Sequence, residues 1–214
     1  MSPADEADPP RRAYRTREER RSEIVRATLA ILAEEGMHAW TTSALAERVG
    51  VSEATLFKHF DSKDHILSVA LQRQAEELRA RIEAYRSEGP PWERATGLAR
   101  RVLAYLEAAD GGPLVILLGH AARIRPEMRE EVERTGALFR ARLVEMLKGE
   151  EEEGDRPAGD AGALADLVIA AVQSACLRWS VGGREGSLTA RAEPLLDHLG
   201  ACRRAMDGRD GHGG

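Results

Sequence analysis

The sequence predicts an all-α protein, with a small N-terminal three-helix unit built around a helix-turn-helix and a larger helical C-terminal domain. Apolar residues recur at three- and four-residue spacing through most of the chain, and no stretch shows the strict alternation of a half-buried strand. Gly and Pro break the periodic segments at helix-length intervals. With 214 residues, 43% of them apolar and 31% charged, the chain can bury a sizeable core and is too apolar to remain disordered.

Residues 1–15 read as a disordered, Pro-rich and basic arm. The arginine-dense run RRAYRTREERR that begins in it admits two readings, a solvated and frayed helix start or an arm that follows a phosphate backbone. From Thr16 the pattern is helical: Ile24, Ala27, Thr28, Ile31 and Leu32 fall on one side, and Gly36 stops a first helix over about 16–35. A second helix runs over about 42–49, with Thr41 or Thr42 as its N-cap and Gly50 as its stop. Ser52 caps a third over 53–59. Ser62 caps a fourth, which carries Leu67, Leu71, Leu78, Ile82 and Tyr85 in one stripe.

Gly89-Pro90-Pro91 breaks the chain, and helical patterns resume over 92–109, 113–123, 126–148, 161–181 and 188–206. The acidic run 149–155 reads as a mobile loop. The expected organisation is an arm (1–15), a helix-turn-helix domain (16–62), a helical domain (63–207) and a disordered tail (208–214).

The net charge of −5 gives no global basic field, so any nucleic-acid binding must come from a local patch. The two cysteines, Cys176 and Cys202, each lie in an apolar helical pattern and read as buried reduced thiols rather than a disulfide or metal site. No apolar run approaches the ~20 residues needed to span a bilayer, and the acidic start is unlike a signal peptide. A cytoplasmic protein without membrane association is expected.

The segment TSALAERVGVSEATLFKHF, residues 42–60, meets the demands of a helix-turn-helix. Ala46 supplies the small residue where two backbones meet, Gly50 the turn, and Leu45, Val49, Val51 and Leu56 the shared core. Helix N-termini carry partial positive charge and free N–H groups, so Thr42 and the Ser62-Lys63 start of helix 4 suit phosphate. Two of the three lysines in the chain, Lys58 and Lys63, fall here.

This run, with the following DSKDHIL and the preceding helix, resembles the tetracycline-repressor (TetR) family of bacterial transcriptional regulators over roughly residues 17–71. The resemblance implies a homodimer that binds a pseudo-palindromic double-stranded DNA operator and is controlled by a small-molecule effector held in the C-terminal domain. It implies that helix 3 enters the major groove, with Ser52, Glu53, Ala54, Thr55, Phe57 and Lys58 near bases and backbone. Thr42, His59 and Lys63 then look like phosphate contacts. Phe57 stands where the family often has tyrosine and can make only apolar contact with a sugar or thymine methyl. Glu53 either reads a base such as cytosine through N4 or serves as a helix-start charge. His59 and His65 do not share ligand spacing, so no metal site is expected.

By the same resemblance, helices 161–181 and 188–206 pair with their copies in a four-helix interface, and an effector pocket is lined from Trp92, Leu103, Tyr105, Leu106, Leu117, His120, Phe139, Leu143 and Gln173. Plain core is the more common role for each of these residues, and ligand contact the other. Arg123 either holds an anionic headgroup or faces solvent. The segment CLRWSVGG, residues 176–183, resembles the C-terminal part of members that sense fatty acyl thioesters, and the ligand is read as an apolar or amphipathic small molecule. The chain shows no nucleophile elbow, P-loop, metal-spaced His/Cys set or cofactor motif, so neither an enzyme nor a cofactor is expected.

Overall fold

Short polar side chains and glycines set the helix ends in this chain by replacing missing backbone partners. The computed structural model describes residues 16–108, Leu114, 126–148 and 159–210. Among the described residues there are eight α-helices and no strand: α1 (Arg17–Glu34), α2 (Thr42–Val49), α3 (Glu53–His59), α4 (Lys63–Ala84), α5 (Pro91–Glu107), α6 (Pro126–Lys148), α7 (Gly159–Val181) and α8 (Leu188–Asp210). The all-α class expected from periodicity is what forms. The arm, the acidic run and helix 113–123, apart from Leu114, lie outside the described residues.

Thr16 opens α1 with a capping box: its hydroxyl accepts from Glu19 N (3.2 Å) while the Glu19 carboxylate accepts from Thr16 N (2.7 Å). Thr41, and not Thr42, caps α2 by accepting from Ala44 N (3.1 Å). Ser52 caps α3 and Ser62 caps α4 in the same way. Gly50 closes α2 in the left-handed conformation, φ 71°, and returns the chain sharply into α3.

Ile24, Ile31, Leu32, Leu45, Leu56, Phe60 and Ile66 are almost wholly buried and pack α1 to α3 around the first turns of α4. The same helix α4 then runs on into the C-terminal half, where Leu71, Ala75, Leu78 and Ile82 join the packing of α5, α6, α7 and α8. One continuous helix therefore belongs to both cores. A second link ties α1 to the α7–α8 loop. Arg184, a non-glycine residue at φ 63°, donates from its guanidinium to the Ala33 carbonyl near the C-terminus of α1 (2.8 Å), where a cation is favoured.

Three expectations are corrected. Segment Ala161–Val181 is in fact long and apolar enough to cross a bilayer by length and composition, with a window of mean hydropathy 1.4. Its many alanines mask this to the eye. Within the fold it packs against α5, α6 and α8 through Ala165, Val168, Val172, Ala175 and Trp179. Cys202 is exposed, 3.6 Å from the His198 ring on the outer side of α8, whereas Cys176 is half-buried and its thiol is pushed up to about 11 by that burial. Finally, α8 continues to Asp210, past the expected end at 206.

Gly50 has open space around its Cβ direction, so its substitution is limited by backbone conformation alone. Gly50→Val, which forces a β-branched residue to positive φ, is expected to destabilise the N-terminal unit by about 1–2 kcal/mol. Urea denaturation with hydrogen exchange of α2 and α3 amides checks this; an unchanged midpoint and unchanged exchange would show that the turn does not need a glycine.

Candidate nucleic-acid interface and cavity

Helix α3 has seven residues and would not persist alone, so its neighbours determine how its surface is presented. Leu56 anchors it inward, and Phe60 seals its end with 1% exposure. The Arg21 guanidinium lies 4.3 Å over the Phe60 ring and also donates to the His59 carbonyl, while the His65 ring meets the Phe60 edge at 5.5 Å. Arg21 of α1 thereby satisfies a carbonyl at the C-terminus of α3 and clamps the helix against α1.

The outward side of α3 presents Glu53, Ala54, Phe57 and Lys58, all exposed; Phe57 is 46% exposed, unusual for a ring with no bound partner. Lys63, also exposed, stands at the first position of α4. Thr42 and Glu53 come together: the Thr42 hydroxyl donates to the Glu53 carboxylate at 2.5 Å and links the starts of α2 and α3. Of the two roles considered for Glu53, this bond fits the helix-start one. Ser52 accepts from Thr55 N (3.2 Å), and the Ser52 and Thr55 hydroxyls lie 2.9 Å apart, so both side chains are engaged within the helix start.

Cations of the arginine-dense run that leads into α1 belong to this surface. Arg17, Arg20, Arg21 and Lys58 surround His59, and together with partial burial, the largest cause, they hold its imidazole below the ordinary histidine range. The spacing 17, 21, 24, 28 could have shown it, because it places Arg17 and Arg21 on the same side of α1 as buried Ile24 and Thr28. Arg20 is paired with Glu23 (2.7 Å). Arg48 is turned away, paired with Glu34 and Glu35.

In the C-terminal half, α4, α5, α6 and α7 enclose a largely apolar cavity of about 390 Å³. Phe139 and Gln173 line it, as expected, with Leu106. Trp92 and Tyr105 do not. Trp92 is buried against Gly200 of α8, and Tyr105 turns its hydroxyl to Gln74 Oε1 (3.2 Å) with the Arg81 guanidinium 4.3 Å over its ring. Leu103 and Leu143 are core residues outside the lining. Helix periodicity could not separate these positions, because cavity wall and solid core are equally apolar. Leu117, His120 and Arg123 lie outside the described residues.

One charged group reaches the lining among the described residues. Glu131 of α6, 6% exposed, accepts from Arg79 of α4 and from Arg134 (2.9 Å). Arg79 also donates to the Thr135 hydroxyl (3.0 Å), which itself donates to the Glu131 carbonyl (2.9 Å). No group of three or more His, Cys, Asp or Glu side chains suited to a metal occurs among the described residues.

Comparison with known proteins fits this geometry. Residues 24–70 match the signature described as bacterial regulatory proteins of the tetR family. The nucleoid occlusion factor SlmA of Vibrio campbellii is 33% identical over 132 residues, covering 60% of this chain and 67% of that protein. The HTH-type transcriptional repressor KstR of Mycolicibacterium smegmatis is 42% identical over 77 residues, 36% of this chain and 38% of its own length. The chain spans about half or less of the length of several of the curated relatives it matches, 52% in the SlmA of Haemophilus ducreyi. In fold it resembles the transcriptional regulator FadR of Bacillus subtilis, crystallised with stearoyl-CoA, with a TM-score of 0.64 and 19% identity over 83% of this chain and 96% of that one. The chain belongs to the TetR family of bacterial transcriptional regulators.

Proposed function

We propose that the protein is a cytoplasmic, homodimeric repressor that binds a pseudo-palindromic operator and is released from it by a small apolar or amphipathic ligand held in the C-terminal cavity. The observation that carries this reading is the double membership of α4. Its first residue, Lys63, is exposed and follows the end of α3 by four residues, while Leu71, Ala75, Leu78 and Ile82 of the same helix form one wall of the cavity. An occupant that moves this wall moves Lys63, and by linkage DNA changes ligand affinity by the same factor.

On the DNA side, Ala54, Phe57 and Lys58 meet base edges and adjoining backbone, and Thr42, His59 and Lys63 meet phosphates. Ser52, Glu53 and Thr55 hold the start of α3 in register. Arg17 adds a further phosphate contact. A DNA- or protein-binding module of the same fold without ligand control is the second reading, supported by the similarity to proteins named nucleoid occlusion factors. The cavity favours the first.

Selection from random DNA by the purified protein is expected to return a twofold symmetric site, and Lys63→Ala to lower the salt slope of log K by about one unit on every sequence. An asymmetric site, or an unchanged slope, would remove this reading or this contact respectively.

The dimer rests on α7, which carries a second apolar stripe at helical spacing, interrupted by Ser174: Ala163, Leu167, Ala170, Leu177 and Val181, all exposed, with Leu177 at 66% and Val181 at 80%. Leu195 of α8 is also exposed, at 36%. Leu167→Asp, which leaves the cavity lining intact, is expected to yield a folded monomer in sedimentation velocity with operator affinity lowered at least about tenfold. A dimer that persists would place the interface elsewhere.

The histidine in the interface gives a pH signature. Because His59 titrates below the ordinary ~6.5, the unfolded chain protonates first; its stabilising contribution is present above that value and lost as pH falls through the folded one. A phosphate beside it raises the same pKa, so DNA binding takes up a proton. Operator affinity is therefore expected to rise as pH falls from about 8 to 6 while thermal stability declines, and His59→Gln to flatten the affinity profile. Identical profiles for the two proteins would exclude His59 from the phosphate contacts.

A further inference from the structure

The cavity wall is chemically one-sided. Among the described residues lining it, Glu131 is the one charged side chain, and the thiol of Cys176, raised to about 11, stays neutral at physiological pH. The cations nearest Glu131 are spent on it: Arg79 holds one carboxylate oxygen and Arg134 the other. The Thr135 hydroxyl gives its proton to the Glu131 carbonyl and accepts from Arg79. A carboxylate offers about four lone-pair sites, so two remain. Among the described residues, the lining at this end therefore offers spare acceptors and no charged donor.

Space is provided at the same place. Gly136, next to Thr135 in the middle of α6, lines the cavity, and a Cβ built on it would meet nothing within 4 Å. A glycine inside a helix costs about 1 kcal/mol against alanine, and here the exposed Gly136 leaves an open recess at the mouth of the cavity, next to Thr135. The remaining polar side chains, Gln173 and Ser180 of α7, are exposed positions at the rim.

Resting on the reading of this cavity as the effector site, we infer that it takes an amphipathic molecule whose buried polar end donates hydrogen bonds to Glu131, a long-chain alcohol or protonated amine rather than a carboxylate, phosphate or thioester. An anionic end would meet a carboxylate in apolar surroundings with its own lone pairs undonated, and a thioester brings acceptors only. A donor end satisfies the spare sites, and a cationic one also competes with Arg79 for Glu131, which loosens the tie between α6 and α4.

Isothermal titration calorimetry of the full chain at pH 7.5 tests this with four probes of one chain length: 1-decanol, decylamine, sodium decanoate and decanoyl-CoA. The alcohol and the amine are expected to bind at least about tenfold more tightly than the carboxylate and the thioester, the factor that one unmatched hydrogen bond produces. Glu131→Gln is expected to reduce the preference of the amine over decanoate at least about fivefold. Gly136→Leu, which keeps the Arg79–Glu131 pair and replaces glycine by a better helix former, is expected to abolish binding of all four by filling the recess. Decanoate or decanoyl-CoA binding as tightly as the alcohol overturns the headgroup assignment and leaves the effector site standing. Binding of none of the four, or binding that survives Gly136→Leu, overturns the assignment together with the effector-site reading, whereas the DNA-binding reading is judged separately by the operator selection.

Discussion

Arg79 of α4 and Glu131 of α6 meet at the cavity wall, and the geometry of the whole chain depends on that meeting. Both side chains are largely withdrawn from water, at 17% and 8% exposure; Arg79 relies on Glu131 for charge compensation, whereas Glu131 is shared with the more exposed Arg134. Removing Glu131 is expected to cost about 3–5 kcal/mol, because Arg79 then keeps an uncompensated charge. The pair therefore acts as a pin more than as a net source of stability. From Arg79 back to Lys63 the helix runs about 24 Å at 1.5 Å per residue, so a tilt of about 5° at the pin displaces the N-terminal end by about 2 Å. A displacement of that size is several times the roughly 0.5 Å working range of a phosphate hydrogen bond.

The N-terminal unit would follow such a shift as one body, because its smallest helix is fixed from several sides. Leu56 and Phe60 fix α3 from below, Arg21 binds its last carbonyl and covers the Phe60 ring, and the Thr42–Glu53 bond ties its start to α2. None of these contacts uses Ala54, Phe57 or Lys58, which leaves those side chains free to face a partner. The Arg184 contact to the end of α1 adds a second path between the halves, independent of α4. Its residue sits at a positive φ that a glycine would adopt without strain, although Gly182, Gly183 and Gly186 lie close by. The guanidinium is the feature that glycine could not supply there.

How much of this was legible follows from the range of each interaction. Caps and stops are local, so Thr16, Gly36, Gly50, Ser52 and Ser62 marked their helix ends in the sequence, and the helix-turn-helix followed from Ala46, Gly50 and a few apolar neighbours. Pairings between distant segments left no local trace. Arg79 and Glu131 are two charged residues 52 positions apart on helices whose polar sides looked like solvent faces. Trp92 and Tyr105 look like cavity residues by size and polarity, yet tertiary packing turned one to α8 and the other to α4. The basic start of α1 was ambiguous because its meaning depends on where α3 ends, which only the folded turn at Gly50 decides.

Helix α7 brings the two proposed actions of the C-terminal half into one element. Ala165, Val168, Val172, Ala175 and Trp179 face the interior, while Leu167, Leu177 and Val181 stand in water in a single chain. Leu177 belongs to both environments, lining the cavity and remaining two-thirds exposed. A second copy packed on this stripe would cover Leu177 and with it part of the cavity rim, so cavity shape and subunit packing cannot vary independently. Burial of three such side chains is worth several kcal/mol at about 1.5–3 kcal/mol each, enough to bias how two copies sit on one another. In the proposed dimer, the distance between two recognition helices would then be set jointly by what fills the cavity and by what presses on α7, with α4 carrying the result to the N-terminal unit.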